Sequence, residues 1–176
     1  MLYSKNGLEK QRQFGTSNIF LHCAEDLNTI ATRIMRDNDL AKLLYYTDKD
    51  CLSKQINDTQ KITLLNKNIK IVPYLPKDEE MYNYIVIQFD SFALVEDEQE
   101  YMSYFIIIDV ICHTDNWLLD EGKVRPYEIM NRLSDLLKGS KLSGVGNVKL
   151  VSTSQLLVSP NLSGFTMYFS AEQLLN

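Results

Sequence analysis

The residues of this sequence best able to do chemistry lie in the stretch YFIIIDVICHTDNWLLDEGK. It holds Asp109, Cys112 and His113, followed by Glu121 and Lys123. A cysteine and a histidine in hydrogen-bond contact can form a nucleophile and its base. An aspartate with a Glu-x-Lys motif can bind a divalent cation and place a lysine beside an attacked phosphate. Both chemistries need the side chains within a few ångströms of one another. The secondary-structure elements that carry these residues therefore decide whether either chemistry is possible.

The apolar residues around Asp109 predict a β-strand. Side chains alternate between the two faces of a strand, so Cys112 and His113 point in opposite directions. Asp109 and His113 share a face but lie about 13 Å apart along an extended chain. With two histidines in the whole chain and no Cys-x-x-Cys motif, a zinc site has little support. We predict structural roles for Cys112 and His113.

The Asp and Glu-x-Lys combination defines an alternative function, a metal-dependent nuclease that uses Asp109, Glu121 and Lys123. That enzyme would need the glutamate and the lysine on a strand beside the aspartate. The sequence instead places both in a loop that closes at Pro126, a residue suited to the first turn of a helix. We therefore predict no enzymatic activity, no bound metal and no cofactor, and keep the nuclease as the alternative.

The composition is that of an ordinary globular protein, with 45% apolar and 23% charged residues. The net charge of −5 disfavours a protein that grips phosphate backbones, which would carry a basic stripe. The three cysteines are odd in number and without paired spacing, so we expect free thiols in a reducing compartment. We expect no secretory signal and no membrane span.

Hydrophobic periodicity divides the chain into a polar, flexible arm at residues 1–17 and a single domain at residues 18–176. Apolar residues at three- and four-residue steps predict a helix from Asn18 and a second, short helix capped by Asp37 or Asn38. Residues 47–61 are predicted to be a connecting loop that can hold one helical turn. The remaining chain predicts an edge strand with two prolines, a long hairpin, a helix near residues 125–138 and a closing hairpin. We expect an α+β domain with an antiparallel-rich sheet, packed by the two longer helices.

The long hairpin, residues 82–95 and 101–113, is predicted to project from the domain as an arm. It stays rich in Ile, Val and Phe almost to its acidic tip, and long strand edges need cover. This indicates contact with neighbouring subunits, for which the candidates are Phe92, Leu94 and Tyr101. Trp117, Leu118 and Leu119 interrupt a polar loop, either tucked onto their own domain or anchoring another subunit, since Trp is enriched in interface hot spots.

The element order resembles the tail terminator (tail completion) proteins of long-tailed bacteriophages. The resemblance lies in the strand FIIIDVICH, a loop, the helix RPYEIMNRLSDLLKG, the turn KLSGVGNVKL and the closing PNLSGFTMYFS. The upstream VPYLPKDEEMYNYIVIQFDSF is also similar, as a proline-flanked edge followed by a strand. The resemblance spans residues 18–169 and rests on the order and spacing of elements more than on diagnostic residues. The family has no catalytic residues to carry over.

The resemblance implies a structural virion protein at the head-tail junction, assembled in the host cytoplasm. Such proteins form a ring, usually a hexamer, that caps the tail tube, stops its polymerisation and provides the docking face for the head connector. Further partners would be the sheath or the tape measure protein, and a neck or head-completion ring is a second alternative. The acidic tip is either a solvated loop, the usual interpretation of such a run, or a lining of the ring's channel that repels passing DNA, which is not bound specifically. The tip residues are Glu96, Asp97, Glu98 and Glu100.

Overall fold

A computed structural model describes four stretches of the chain, residues 19–77, 81–95, 98–138 and 148–174. The predicted arm at residues 1–17 and the tip residues Glu96 and Asp97 lie outside them. The side chains of four other predicted residues are likewise outside the description: Leu94, Glu98, Glu100 and Tyr101.

The described residues form an α+β domain, as predicted. Its α-helices are α1 Ile19–Arg36, α2 Asn38–Tyr45, α3 Asp58–Leu64 and α4 Arg125–Leu137. Its strands are β1 Ile69–Lys70, β2 Asn83–Val95, β3 Glu98–His113, β4 Lys149–Leu157 and β5 Leu162–Leu174.

The five strands form one sheet in the order β1-β2-β3-β5-β4. All neighbours pair antiparallel except β1, a short edge strand parallel to β2. The predicted edge position of the proline-flanked segment and the two predicted hairpins are therefore confirmed. Strand β5 pairs with β3 from Leu162, beside His113, to Leu174, beside Tyr101. A third strand therefore lies beside the long hairpin even near its tip.

The helices cover one face of the sheet, and the main core lies between them. Alternate residues of β3 from Tyr104 to Cys112 point into this core, together with Ile34, Leu44 and Leu133 from three helices. The opposite side, here called the helix-free face, buries a smaller cluster centred on Tyr84 and Ile111. The prediction that α1 and α4 pack against the sheet is confirmed.

Local side chains explain where the short helices begin. Asp37 caps α2, because its Oδ1 accepts hydrogen bonds from the backbone N–H groups of Asp39 (3.1 Å) and Leu40 (3.0 Å). The prediction of a loop over residues 47–61 with one helical turn agrees with the short turn Cys51–Ser53 and is wrong from Asp58, where α3 begins. Asn57 and Gln60 form a capping box there, each side chain bonding to the other's backbone N–H.

The two central strands approach so closely at one point that only glycine fits. A Cβ atom on Gly164 of β5 would lie 1.8 Å from the carbonyl oxygen of Val110 on β3. Any other residue would therefore have to push these strands apart.

Candidate assembly surfaces and the predicted catalytic residues

The three residues of the nuclease alternative do not come together. Asp109 lies on the helix-free face, half-buried between Val86 and Thr166 of the adjacent strands. Its Oδ1 accepts a hydrogen bond of 2.6 Å from the Thr166 hydroxyl. The carboxylate is thus engaged within the sheet rather than aimed at a cleft.

Glu121 and Lys123 lie beyond the end of the sheet, in a loop whose buried Leu119 packs into the helix-side core. Lys123 Nζ pairs with Glu121 at 3.0 Å, and both line a depression of about 270 Å³ that Asp109 does not reach. The ion pair raises the pKa of Lys123. The loop is tightly turned, with positive φ at Glu121 and Gly122. The strand arrangement that the nuclease requires is therefore absent from these residues.

Cys112 and His113 point to opposite faces, as predicted. Cys112 is fully buried in the helix-side core, where burial raises its pKa to about 12. His113 is buried on the other side, and its Nδ1 accepts a 3.3 Å hydrogen bond from the backbone N–H of Asp115. No group of three or more His, Cys, Asp or Glu residues is placed to hold a metal in the described part of the chain.

All three cysteines are free and buried, in agreement with the sequence prediction. Burial raises the pKa of Cys23 to about 11 and also raises the pKa of Cys51. A thiol in this state is a poor nucleophile at neutral pH, because the thiolate is the reactive form. These residues act as small core side chains.

The Trp117 loop divides into inward and outward residues. Trp117 is half-buried; its ring faces Phe165 at 6.2 Å, and its Nε1 donates to the Cys112 carbonyl at 3.4 Å. Leu119 is buried in the core, whereas Leu118 is 63% exposed. Trp117 and Leu119 thus pack onto their own domain, and Leu118 is the residue of this loop best placed to meet a partner.

A buried arginine that sequence reasoning missed holds this loop to the helices. Arg125, at the start of α4, is completely buried and donates to five backbone carbonyls. Nε bonds Asn116 at 2.7 Å, while the two terminal nitrogens bond residues at and after the end of α2. Those bonds are to Leu43 (2.6 Å), Tyr46 (2.8 Å), Thr47 (3.1 Å) and Asp48 (2.9 Å). The positive charge suits the carbonyl-rich end of a helix. In the sequence, nothing but the position of this arginine beside Pro126 indicates its buried role.

The hairpin candidates form part of an aromatic contact with α1. Phe92 is half-buried, with its ring 5.4 Å from that of Phe20 and 5.4 Å from that of Tyr104. Phe20 is itself 68% exposed. Phe92 therefore packs within its own domain, while the exposed ring of Phe20 extends this aromatic surface outward. The backbones of Leu94 and Tyr101 continue the strands beyond it.

A second exposed apolar surface, which the sequence reading did not single out, lies at the β4 side of the domain. The β4 residues Leu150, Val151 and Leu157 are 43%, 56% and 72% exposed. Tyr127 of α4, 54% exposed, stacks at 5.2 Å on Phe165 of the adjacent strand β5. These side chains spread along the length of β4, from Leu150 beside Phe169 to Leu157 beside Ser163. Exposed large apolar side chains of this kind are candidates for an interaction surface.

A comparison with protein families shows which family the chain belongs to. A family model described as YomW matches residues 37–171, more than half of the chain. The chain belongs to the YomW family. The matched range starts at the capping residue of α2, contains Arg125 and the Trp117 loop, and reaches Ala171 in β5.

YomW is a phage-associated family, so the chain is phage-related. No curated protein matches the chain. Among the described residues, no helix is long and apolar enough to cross a membrane.

Proposed function

We propose that this protein is a structural component of the phage tail. Copies of the chain form a ring, of six subunits, on the last ring of the tail tube at the head-tail junction. The ring stops tube polymerisation and presents the docking face for the head connector. The phage association of the YomW family and the resemblance of element order to tail terminators support this proposal.

The observation that carries the proposal is the apolar surface that the folded domain leaves uncovered. Leu118, Tyr127 and Leu157 are each more than half exposed, although the same domain buries a large core. A cyclic ring needs two different surfaces on each subunit, because each copy meets its neighbours through unlike faces. The aromatic surface formed by Phe20 of α1 and Phe92 of β2 is separated from β4 by two strands of the sheet, so the domain supplies two such surfaces.

The nuclease alternative loses its specific support. Asp109 lies within the helix-free face, on the other side of the sheet from the core that anchors the Glu121 and Lys123 loop. A ring protein needs no catalytic group, and an acidic channel lining would keep DNA from adhering during passage.

Deletion of the coding sequence from the phage genome tests the proposal. Loss of a terminator should yield tails of unregulated length that do not join filled heads, as seen by electron microscopy. The neck or head-completion alternative predicts a different result, because tails of normal length would accumulate unjoined. Normal infectious particles without the protein would refute both.

A second measurement addresses the ring itself. Native mass spectrometry of purified tails treated to release their end rings should detect a closed oligomer, expected to be a hexamer. A single copy per tail would refute the ring. Cleavage of DNA with magnesium or manganese that disappears in both Asp109→Ala and Lys123→Ala would instead favour the nuclease.

A further inference from the structure

The strand β4 is exposed in a way that the other long strands are not. Every residue from Lys149 to Gln155 is exposed, on both faces of the strand. It pairs with β5 on one side, and in the described sheet no strand lies on its other side. A free edge offers unpaired N–H and C=O groups to another chain, and proteins normally blunt it with charges or proline. This strand carries a single charge, at Lys149, and no proline.

A second free edge lies on the opposite side of the sheet. The short strand β1 pairs only with Ile85 and Val86 of β2. From Ile87 to the bulge after Asp90, no described strand pairs with the outer side of β2. Each subunit thus carries two unlike edges, which is what a head-to-tail contact requires.

The registers place complementary residues at the same level of these two edges. Asp90 pairs with Phe105, Phe105 with Ser170, and Ser170 with Lys149. The next level on the same face runs from Gln88 through two central strands to Ser152. Copies placed side by side without stagger therefore bring Lys149 next to Asp90 and Ser152 next to Gln88. The first pair is opposite in charge, and the second can hydrogen-bond.

Strand direction is also compatible. Three successive antiparallel pairings make β2 and β4 run in opposite directions. Rotation about an axis along the strands leaves directions unchanged, so β4 of one copy meets β2 of the next as an antiparallel pair.

We infer that the first half of β4, residues 149–153, adds to the free segment of β2, residues 87–90, in the next copy of this chain, with Lys149 beside Asp90, so that the sheets of neighbouring subunits join. Beyond that segment β1 already occupies the edge, level with Ser154 of β4. The inference rests on the proposed ring and names the contact that closes it. Strand addition of this kind takes its affinity from main-chain hydrogen bonds and its register from side-chain pairs.

Cysteine cross-linking of the full chain tests the contact. The double variant Gln88→Cys with Ser152→Cys, treated with oxidant or a short bis-maleimide, should produce a ladder of covalent oligomers that ends at the ring size. Each single variant should remain uncross-linked. The native cysteines do not interfere, since all three are buried. The reaction is run on assembled tails from complemented infections, and on free protein if that is oligomeric.

The outcomes separate this inference from the ring. Rings that assemble without cross-linking in the double variant would overturn the strand contact and leave the ring standing. Absence of any oligomer in tails would overturn the proposed function. Thr153→Cys, in the middle of β4, reports the competing two-fold pairing of β4 with itself. Covalent dimers from this single variant would overturn the head-to-tail contact.

Neutralising the charge pair tests the register. Asp90→Asn keeps the acceptor for the 2.7 Å hydrogen bond that Oδ1 receives from the Ser91 backbone, and Lys149→Gln removes the opposite charge. Each should weaken subunit association about twofold to fivefold, and the double variant no more than either alone. Asp135→Asn, on the exposed surface of α4, is the matched control and should have no effect. Additive losses in the double variant would overturn the proposed register.

Discussion

Replacement of Arg125 by methionine should be among the most destabilising single changes in this chain. The side chain is completely buried, and its guanidinium donates to five carbonyls and has no carboxylate partner among the described residues. Methionine has similar length but no donor, so the carbonyls of Asn116 and Tyr46 lose this bond inside the protein. Leu43 keeps a second donor, because Asn83 Nδ2 lies 3.1 Å from its oxygen.

The magnitude follows from those bonds. An unsatisfied buried carbonyl costs about 1–3 kcal/mol. Thr47 and Asp48 lie in exposed positions where water can replace the lost donor, so two or three carbonyls carry the cost. Relief from burying a charge offsets part of it, which leaves about 3–5 kcal/mol. For an m-value of about 2 kcal/mol/M, the urea midpoint should fall by about 2 M. Arg125→Lys should lose less, because an ammonium can still donate three bonds.

Urea unfolding followed by far-UV circular dichroism measures this change. Fluorescence of Trp117, the only tryptophan, reports the attached loop at the same time. Arg132→Met is the matched control, because its side chain is 40% exposed and forms an ion pair with Asp37. Asp37 is only 12% exposed but keeps its two capping bonds, so loss of the more exposed arginine should cost about 1–2 kcal/mol. If Arg125→Met costs no more than Arg132→Met, the carbonyl clamp does not stabilise the fold as argued.

Three further changes have defined outcomes. Gly164→Ala should lower the free energy of unfolding by about 1–3 kcal/mol, because its Cβ would overlap the Val110 carbonyl; a stability equal to wild type in thermal unfolding would contradict this. Leu118→Ser should change monomer stability by about 0.5 kcal/mol or less but reduce ring assembly. The control Ile62→Ser has a similarly exposed side chain (61%) on α3, and an equal assembly defect there would refute a specific role. The stability contributed by the buried Cys112 thiol, whose pKa is raised to about 12, should be constant below about pH 9 and lost between about pH 9 and 12, because the thiol of the unfolded chain ionises there while the folded one stays protonated. Cys112→Ala should flatten that slope in urea titrations, and an unchanged slope would assign it to other groups.

Local patterns in the sequence determined much of this structure. The opposite faces of Cys112 and His113 follow from the two-residue repeat of any strand, so the sequence was sufficient to predict them. Asp37 was predictable as a cap because a capping bond joins residues only two or three positions apart. The same local reasoning missed α3, where the capping residues lie in a polar stretch that has no apolar stripe.

Only the tertiary structure decided which residues far apart in sequence meet. Arg125 reaches carbonyls about eighty positions earlier, and no periodicity in the chain announces that contact. Trp117 packs inward while its neighbour Leu118 points outward, a choice set by Phe165 in another strand. The fact that Lys149 and Asp90 lie at the same level of the sheet depends on three successive strand registers. Each register is fixed by burial of one face of the sheet and cannot be read from either strand alone.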